Sequence, residues 1–487
     1  MPMKRLLPAI ALSLCLLALA PLVLSIAAPP AATAAPSKAA PAARAPAAKP
    51  APAAPAPAAA PSADAASADL TRVADEVAKD VEALRGWKFK QPVARQLVTR
   101  EQTMAWLEKE IAAQASPELL ATKQAFLRTV GLLPPDCDLK KTFLSLMEGQ
   151  VAGYYDSGAK VLCIVQRDGV KPAGLVERIM LAHELGHALD DQYIDLDKLI
   201  RQHGNQSEDG DLVISSLMEG SATVMMMRYV PRLQLTGQFD LTELLQYNKA
   251  EEASTAAFLE APPYFSSMLG AYMCGMNFLA RGNFLALMLS DKDVGDQLLA
   301  AAKDPPRSTE QILHPEKYWD AAARDEPVVA SDDDARKMLA QGGRWVVHTD
   351  TLGEMLCAIL TTPKDAKADP MMMVSPAYWT NTVASGWGGD RFYLLASGPS
   401  AAEAGKSLKD LRGVWLTFWD TPQDRDEFFE ACESNPVPGR AAAKVGSLGA
   451  VFFYGLAEPE RQAIRAKLEK SPPKMTRDSK PWSPWAM

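Results

Sequence analysis

The sequence lacks the excess of basic residues that a nucleic-acid-binding protein needs. Lysine and arginine together number 51, against 59 aspartate and glutamate residues, and the formal net charge is −8 at pH 7. A protein that binds nucleic acid normally presents a basic face to the phosphates. The charge balance therefore predicts that nucleic acid is not a partner of this chain.

Cysteine and histidine are also scarce, with six and five residues in a chain of 487. No group of cysteines has zinc-finger spacing. Five cysteines follow the N-terminal segment, so at least one is unpaired within the chain. We expect most of them to be buried thiols, and the alternative is a Cys137–Cys163 bridge in an oxidising compartment.

Apolar runs long enough to cross a membrane are absent after Ile26. Before it, Lys4 and Arg5 precede an apolar stretch that is followed by small residues, which is typical of a secretory signal peptide. We predict a signal peptide over 1–28, with an uncleaved membrane anchor as the alternative. The protein is expected in the periplasm or outside the cell, and it would contact a membrane only through this segment.

Composition and periodicity divide the remaining chain. Residues 29–68 are almost all alanine and proline and predict an extended linker. Apolar residues at three- and four-residue spacing predict helices over 70–130. Residues 148–165 contain two apolar runs around a polar turn and predict a β-hairpin. Further helical segments then run to about 300.

The C-terminal part alternates strand-like and helix-like segments. We predict the α+β class: a mostly helical domain at 69–330 with a small β-hairpin or sheet, then a mixed α/β region at 331–470. The tail at 471–487 is rich in proline and lysine and is expected to be loose. Asp390 and Arg391 begin a predicted strand, and a salt bridge in the preceding turn or recognition of a substrate carboxylate would explain the pair.

The stretch LAHELGHALDD, Leu181 to Asp191, contains two of the five histidines. His183 and His187 fit the pattern H-E-x-x-H. The flanking residues include no proline, and leucine recurs every four residues, which predicts a helix with an apolar side. Residues four apart lie on one face of a helix, so both imidazoles can bind the same metal ion.

Glu184 follows the first histidine and lies one position round the helix. There it can contact a water on the metal, rather than the metal itself, and act as general base. Zinc lowers the pKa of such a water towards neutrality and so makes a nucleophile at physiological pH. The alternative is an ordinary helix whose two histidines make local hydrogen bonds.

A catalytic zinc ion needs a third protein ligand. The longer pattern H-E-x-x-H-x-x-G-x-x-H is absent, which leaves four candidates: Glu219, Asp190, Asp191 and His203. Asp190 lies one turn beyond His187 and can instead orient a ligand histidine from behind. His203 lies in a polar loop, where we expect it to be solvated.

Glu219 is the strongest candidate for the third ligand. It lies within an apolar helical segment, where a lone carboxylate is unfavourable unless it is paired or bound to metal. Its helix face is made of small residues, namely Ser215, Ser216, Ala222 and Thr223. Such a face lets this helix approach the motif helix closely, and Thr223 could then orient a ligand. The alternative is a core glutamate bonded to serine or threonine.

The H-E-x-x-H pattern followed by a helical E-G-x-A resembles the gluzincin metallopeptidases. The longer string AHELGHALDDQY…LMEGSAT, preceded by GYYD, resembles still more closely a largely uncharacterised family of bacterial zinc metallopeptidases. The resemblance extends over about 148–230 and, more weakly, over 305–318 and 386–395. It departs from thermolysin-like enzymes in the longer separation between His187 and Glu219, which the polar loop at 193–210 can absorb.

This resemblance implies a zincin-like catalytic domain that binds one zinc ion per chain. The ligands would be His183, His187 and Glu219, and Glu184 would be the catalytic base. Gluzincins also use a distal histidine or tyrosine to stabilise the oxyanion.

The resemblance leaves four candidates for that last role: His314, Tyr318, Tyr155 and His348. For His314, a hydrogen bond in a proline turn is an equally good interpretation. Tyr155 and the GYYD strand can instead line the cleft, where an edge strand would bind an extended peptide by adding it to the sheet.

Together these features predict a zinc-dependent metallopeptidase that hydrolyses peptide bonds in the bacterial envelope or outside the cell. Its partner would be a peptide or protein substrate. The alternatives are a zinc hydrolase of another envelope amide and a non-catalytic scaffold whose C-terminal region binds a partner. The intact Glu184 favours an enzyme, because a purely structural zinc site does not need a base beside it.

Overall fold

The computed structural model describes residues 63–166, 174–204, 207–363, 369–478 and 480–483. The predicted signal peptide at 1–28 and most of the linker at 29–68 lie outside these ranges. Helix outweighs strand, at 57% against 16%, and the longest strands lie in the C-terminal part, so the chain is an α+β protein as predicted. Within the described ranges, no helix combines the length and the apolar character that a membrane span requires.

The N-terminal part is helical except for one short strand. Its elements are α1 (Ala63–Arg85), β1 (Ala94–Val98), α2 (Arg100–Gln114), α3 (Pro117–Val130) and α4 (Leu139–Gln150). Thr99, Ser116 and Asp138 begin α2, α3 and α4 by accepting a backbone N–H of the first turn. The helices predicted over 70–130 are confirmed except at β1. This strand pairs with a segment far along the chain, which a local pattern cannot reveal.

A β-hairpin follows, as predicted for residues 148–165. Its strands β2 (Gly153–Asp156) and β3 (Val161–Val165) are antiparallel, and β1 pairs in parallel with the other side of β3. The Asp156 carboxylate closes the turn by accepting the Ala159 N–H at 2.8 Å. β2 is therefore an edge strand of a three-stranded sheet.

The middle of the chain is helical. Its elements are α5 (Leu175–Ile194), α6 (Leu196–His203), α7 (Glu208–Leu235), α8 (Leu241–Ala250), α9 (Glu252–Leu259), α10 (Pro263–Leu279), α11 (Phe284–Met288), α12 (Gly295–Lys303), α13 (Thr309–Leu313) and α14 (Glu316–Trp319). Every residue of α5 from Leu175 to Asp191 is buried. The helix that carries H-E-x-x-H is therefore a core helix and not an amphipathic surface helix.

Helix α7 packs between α5 and α10. A Cβ on Gly186 of α5 would lie 3.5 Å from the Ala222 Cα of α7, which is an ordinary contact. A Cβ on Gly275 of α10 would lie only 1.9 Å from the Ser216 carbonyl oxygen, and one on Gly220 would lie 2.2 Å from the carbonyl carbon of Gly275. The small residues of α7 are thus divided: Ala222 faces the motif helix, whereas Ser216 and Gly220 allow backbone contact with α10.

The C-terminal part has the mixed α/β character that the sequence predicted. Its elements are β4 (Val329–Ala330), α15 (Asp332–Leu339), β5 (Arg344–Asp350), α16 (Gly353–Thr361), α17 (Pro370–Met373), a 3-10 turn (Pro376–Tyr378), β6 (Trp387–Ser397), α18 (Ala401–Ser407), β7 (Lys409–Trp419), α19 (Pro422–Ser434), β8 (Arg440–Val445), β9 (Gly449–Tyr454) and α20 (Glu458–Lys470). Five strands form an antiparallel sheet in the order β5–β6–β7–β9–β8. The sheet shares a core with the helical part, since Phe126 of α3 and Phe392 of β6 have ring centroids 4.9 Å apart.

The tail at 471–487, expected to be loose, contains paired strands. β10 (Met475–Arg477) pairs with β4 on one side and with β11 (Lys480–Trp482) on the other. Met475 is buried in a core cluster, and Arg477 donates to Asp420 at 3.0 Å. These two side chains explain the order, because one buries apolar surface and the other makes a charged hydrogen bond.

The five cysteines within the described ranges are free thiols, and four of them are buried. The expectation of buried thiols is confirmed. The alternative bridge is wrong: the Cys137 sulfur lies 3.4 Å from the Thr142 hydroxyl, and burial raises the pKa of the Cys163 thiol.

The Asp390–Arg391 pair does not form a salt bridge in its turn. Arg391 pairs with Asp332 at 2.5 Å, and Asp390 accepts hydrogen bonds from buried donors elsewhere in the C-terminal part. Neighbouring strand residues point to opposite faces of a sheet, so each side chain finds its own partners.

Candidate metal centre

Three side chains from two helices converge on one point. His183 and His187 lie one turn apart on α5, and their Nε2 atoms are 3.0 Å apart. From α7, Glu219 Oε2 lies 3.3 Å from His183 Nε2 and 3.4 Å from His187 Nε2. All three residues are buried. The structure thus brings together the three residues proposed as ligands.

The spacing of the three atoms fits a tetrahedral metal ion. Zinc binds imidazole nitrogen and carboxylate oxygen at about 2.0–2.2 Å, which places two donors of a tetrahedron about 3.3–3.5 Å apart. The two separations that involve Glu219, 3.3 and 3.4 Å, agree with this value, and the two imidazole nitrogens, at 3.0 Å, lie closer together than it requires. Glu219 Oε2 is also buried without a hydrogen bond of normal geometry to any described residue. A buried carboxylate oxygen normally has such a partner, so the donor set fits zinc.

Charge is divided unevenly among the three side chains. Burial lowers the pKa of His183 to about 4. Burial opposes the charged form of His187 as well, but the carboxylates of Glu219 and Glu184 raise its pKa to about 9. Burial favours neutral Glu219, yet the imidazoles lower its pKa to about 2. One imidazolium therefore balances the Glu219 carboxylate, and a metal ion would replace that proton.

Glu184 lies beside the donor atoms and against the hairpin. Its carboxylate accepts a hydrogen bond from the backbone N–H of Tyr155 in β2. The approach is close, since a Cβ on Gly153 would lie 3.8 Å from Glu184 Cγ. Burial raises the pKa of Glu184 to about 8, against the lowering effect of charged His187. A carboxyl group with a pKa near neutrality can take up and release a proton at physiological pH.

The edge strand β2 presents its unpaired side to Glu184. The other side of β2 pairs with β3, while the Tyr155 N–H is bonded to Glu184. The Tyr155 hydroxyl donates to Asp191 at 2.8 Å, and Lys160 pairs with the same carboxylate at 2.7 Å. The backbone of Tyr155 therefore borders the site, whereas its hydroxyl is held by Asp191.

Asp190, the nearest alternative ligand, belongs to another buried network. It accepts a hydrogen bond from the Ser221 hydroxyl at 2.6 Å and pairs with Arg85 at 3.1 Å. Arg85 also pairs with Asp293 at 2.7 Å. Asp190 thus ties α5 to α7 and α1 one turn beyond His187, and its charge raises the pKa of that histidine. Nothing in the sequence pattern singled out Arg85, because its partners lie more than 100 positions away.

The remaining alternatives have separate positions. Asp191 is bonded to Tyr155 and Lys160. His203 is the last residue of α6, where burial and the charge of Arg307 lower its pKa. Thr223, predicted to orient a ligand, is buried, and its hydroxyl makes no hydrogen bond to a described residue.

The polar atoms of the other three candidates for oxyanion stabilisation are bonded elsewhere. His314 Nε2 lies 3.0 Å from Glu354 Oε1, and the Tyr318 hydroxyl donates to the Asp304 carbonyl oxygen at 2.6 Å. His348 Nε2 lies 2.9 Å from the carboxylate of Asp350, in the same strand. None of these contacts involves the donor atoms of His183, His187 and Glu219.

One aromatic neighbour of the site was missed by sequence reasoning. The ring of Tyr272 in α10 stacks on that of His183, with centroids 6.1 Å apart and planes 20° apart. The backbone contact between α7 and α10 brings this tyrosine to the site. The signal available in the sequence was the glycines of α10, Gly270 and Gly275, which permit close helix packing but do not identify the partner.

A second group of acidic residues has ligand-like spacing but different neighbours. Glu310, Asp325 and Asp420 bring three carboxylate oxygens within 4.8 Å of one another. Lys317 contacts all three, and Arg477 contacts Asp325 and Asp420. Two side-chain cations already pair with the three acidic side chains of this group, so it is an ion-pair cluster.

Comparison with known proteins reaches only the C-terminal part. Residues 339–468 match a domain of unknown function (DUF8575). No curated protein and no solved structure matches the chain. The match begins well after α5 and α7 in the chain and does not include them, so the resemblance to gluzincins at the candidate metal centre stays a prediction.

Proposed function

We propose that the protein is a zinc-dependent metallopeptidase with a gluzincin-like site. The observation that supports this most is the convergence of three zinc-type donors beside a buried carboxylate that is not one of them. Gln, Asn or Ser at position 184 would serve a structural zinc site equally well. A buried carboxyl group beside the donor atoms, but not among them, instead suits proton transfer.

A zinc ion held by His183, His187 and Glu219 supplies Lewis acidity and makes water a stronger acid. The chain's own residues move the proton. Glu184 takes a proton from water as the water oxygen bonds to the carbonyl carbon of the substrate. When the carbon–nitrogen bond breaks, Glu184 gives the proton to the leaving amine. Burial of the site excludes bulk water and strengthens these charge interactions.

The edge of β2 supports a peptide as the substrate. An extended chain can add to an unpaired strand edge through backbone hydrogen bonds, and side-chain pockets then provide specificity. β2 has such an edge beside Glu184, and because Gly153 to Tyr155 are buried, a peptide would add to it only after local opening. The signal peptide and linker predicted from the sequence support an activity in the bacterial envelope or outside the cell.

The test compares the parent chain with a Glu184→Gln variant. We expect about one zinc per chain in both, measured by elemental mass spectrometry, because Glu184 is not a ligand. Hydrolysis of a mixed peptide library by the variant should fall by about a hundredfold or more, since it lacks the base. No zinc in the parent, or equal hydrolysis by parent and variant, would overturn the proposal.

Burial favours one alternative, a zinc site without catalysis. His183, Glu184, His187 and Glu219 are each at most 5% exposed, so a substrate can enter only after local opening. Zinc in the parent without hydrolysis of peptides or of cell-wall amides would support this alternative. Hydrolysis of cell-wall amides alone would instead identify a zinc hydrolase of another envelope amide.

A further inference from the structure

The first turn of α7 is unusual because three acidic residues there are buried. Glu208, Asp209 and Asp211 are each at most 2% exposed. The N-terminus of a helix favours negative charge, but burial of a carboxylate is unfavourable unless specific partners compensate. The partners of this turn therefore show what holds the start of α7.

The backbone of the first turn is bound by the C-terminal part. The Glu208 N–H donates to Asp350 Oδ1 at 2.8 Å, and the Asp209 N–H donates to the Thr351 carbonyl oxygen at 3.1 Å. The first N–H groups of a helix have no partner within the helix. Here the turn between β5 and α16 supplies two of the missing acceptors.

The Asp209 side chain makes a second connection. Its Oδ1 accepts from the Thr309 N–H at 2.9 Å and from the Thr309 hydroxyl at 2.6 Å. The same hydroxyl oxygen accepts the Met355 N–H at 3.2 Å. Gly353 has a φ of +78°, and a Cβ on it would lie 1.7 Å from Asp209 Oδ1. The fit between Asp209 and this turn therefore requires glycine.

The turn is itself fixed from within the sheet. The buried carboxylate of Asp390 in β6 accepts the N–H groups of Leu352 and Gly353, at 3.0 and 2.9 Å. It also accepts the indole N–H groups of Trp387 and Trp415, each at 3.0 Å. Four donors on one carboxylate leave the turn little freedom to move.

We infer that the C-terminal region positions Glu219 for metal binding by clamping the start of α7. The clamp consists of the turn Asp350–Gly353, Asp390 beneath it and Thr309 beside it. Glu219 lies ten residues beyond Asp209, or about 15 Å along a rigid helix. A shift of α7 at the clamp thus reaches Glu219 almost undiminished, whereas metal–ligand distances tolerate only about 0.2 Å. The inference rests on the proposed metal site and gives a role to the segment that matches the domain of unknown function.

The test uses two glycine substitutions in the full-length chain. Gly353→Ala pushes a methyl group against Asp209. Gly398→Ala is the control: its Cβ would lie 2.7 Å from the Ala404 backbone nitrogen, at the end of β6 remote from Asp390. Zinc affinity is measured by competition with a chromogenic chelator, and thermal melting reports the loss of stability. We expect Gly353→Ala to weaken zinc binding by roughly ten- to hundredfold, and Gly398→Ala to retain parental affinity.

A milder variant covers the possibility that Gly353→Ala does not fold. Thr309→Val removes the hydroxyl that bridges Asp209 and Met355 and adds no bulk to the turn. It should also weaken zinc binding, by up to about tenfold. Parental zinc affinity in folded Thr309→Val, or in folded Gly353→Ala, would overturn the inference while leaving the metal site intact. A parent chain that binds no zinc would instead overturn the proposed function.

Discussion

The described part of the chain contains two triads of potential metal ligands, and their surroundings differ. Glu219 meets two imidazoles, and its partners within the described residues are those two rings. Glu310, Asp325 and Asp420 meet Lys317 and Arg477. A buried carboxylate needs positive charge nearby. In the first triad this charge is the proton of one imidazole, which a metal ion can replace, whereas in the second it is a lysine and an arginine. Spacing alone therefore does not identify a metal site, whereas spacing together with the neighbouring charges does.

The sharpest way to test this comparison is to remove one carboxylate from each triad. Glu219→Ala should weaken zinc binding by at least about a hundredfold, because two imidazoles alone make an incomplete site. Glu310→Ala should leave zinc per chain unchanged. Both variants are assayed by elemental mass spectrometry after dialysis. Equal loss of zinc in the two variants would mean that the second triad also binds metal.

The second prediction concerns a substitution that removes one cation from the ion-pair cluster. Lys317→Met leaves Glu310 buried without its nearest cation. We expect the free energy of unfolding to fall by about 2 kcal/mol. This loss is smaller than for a fully buried pair, because the Lys317 side chain is 21% exposed. Lys480→Met, at an exposed pair with Asp478, should change stability by less than about 0.5 kcal/mol. Urea unfolding measures both. A negligible effect of Lys317→Met would show that the carboxylates need no internal cation.

Asp209 represents a third way to accommodate a buried carboxyl group, which is protonation. Burial raises its pKa to about 7, with Asp390 and Glu354 also raising it and the hydrogen bonds from Thr309 lowering it. An unfolded aspartate has a pKa of about 3.9. Between these values the folded chain keeps a proton that the unfolded chain releases. Stability from this group is therefore greatest below about pH 4 and falls as pH rises to about 7.

Comparison of the parent with Asp209→Asn isolates the pH dependence that comes from Asp209, because all other titratable groups are present in both proteins. As pH rises from 5 to 7, the parent should lose stability relative to the variant by up to about 1.4 kcal/mol per pH unit. Urea unfolding at each pH measures the difference. A difference that does not change with pH would show that Asp209 is ionised throughout this range.

The sequence predicted the parts of the site that depend on local spacing or on burial. His183, Glu184 and His187 follow from a short pattern on one helix. Glu219 follows from the cost of a lone carboxylate among apolar residues. The stacking of Tyr272 and the clamp on α7 were not predictable, since both depend on contacts between segments far apart in sequence.

The fold was predictable to a similar degree. Periodicity identified most helices, the β-hairpin and the mixed C-terminal region. It missed β1, because three helices and strand β2 separate it from its partner β3, and it missed the pairing of β10 with β4. Both strands are five residues or shorter, and such strands carry too little alternation to be recognised without knowledge of their partners.

Because α7 contacts α10 at Gly220, the two residues of the Glu-Gly dipeptide at 219–220 have different and complementary roles. Glu219 carries the donor atom, and Gly220, the next residue, meets the backbone of Gly275 where a methyl group would not fit. The first residue supplies the chemistry and the second sets the depth at which α7 lies in the protein. A larger residue at position 220 would displace the helix and move the carboxylate with it, so the proposed metal site would depend on both residues although only Glu219 would contact the metal.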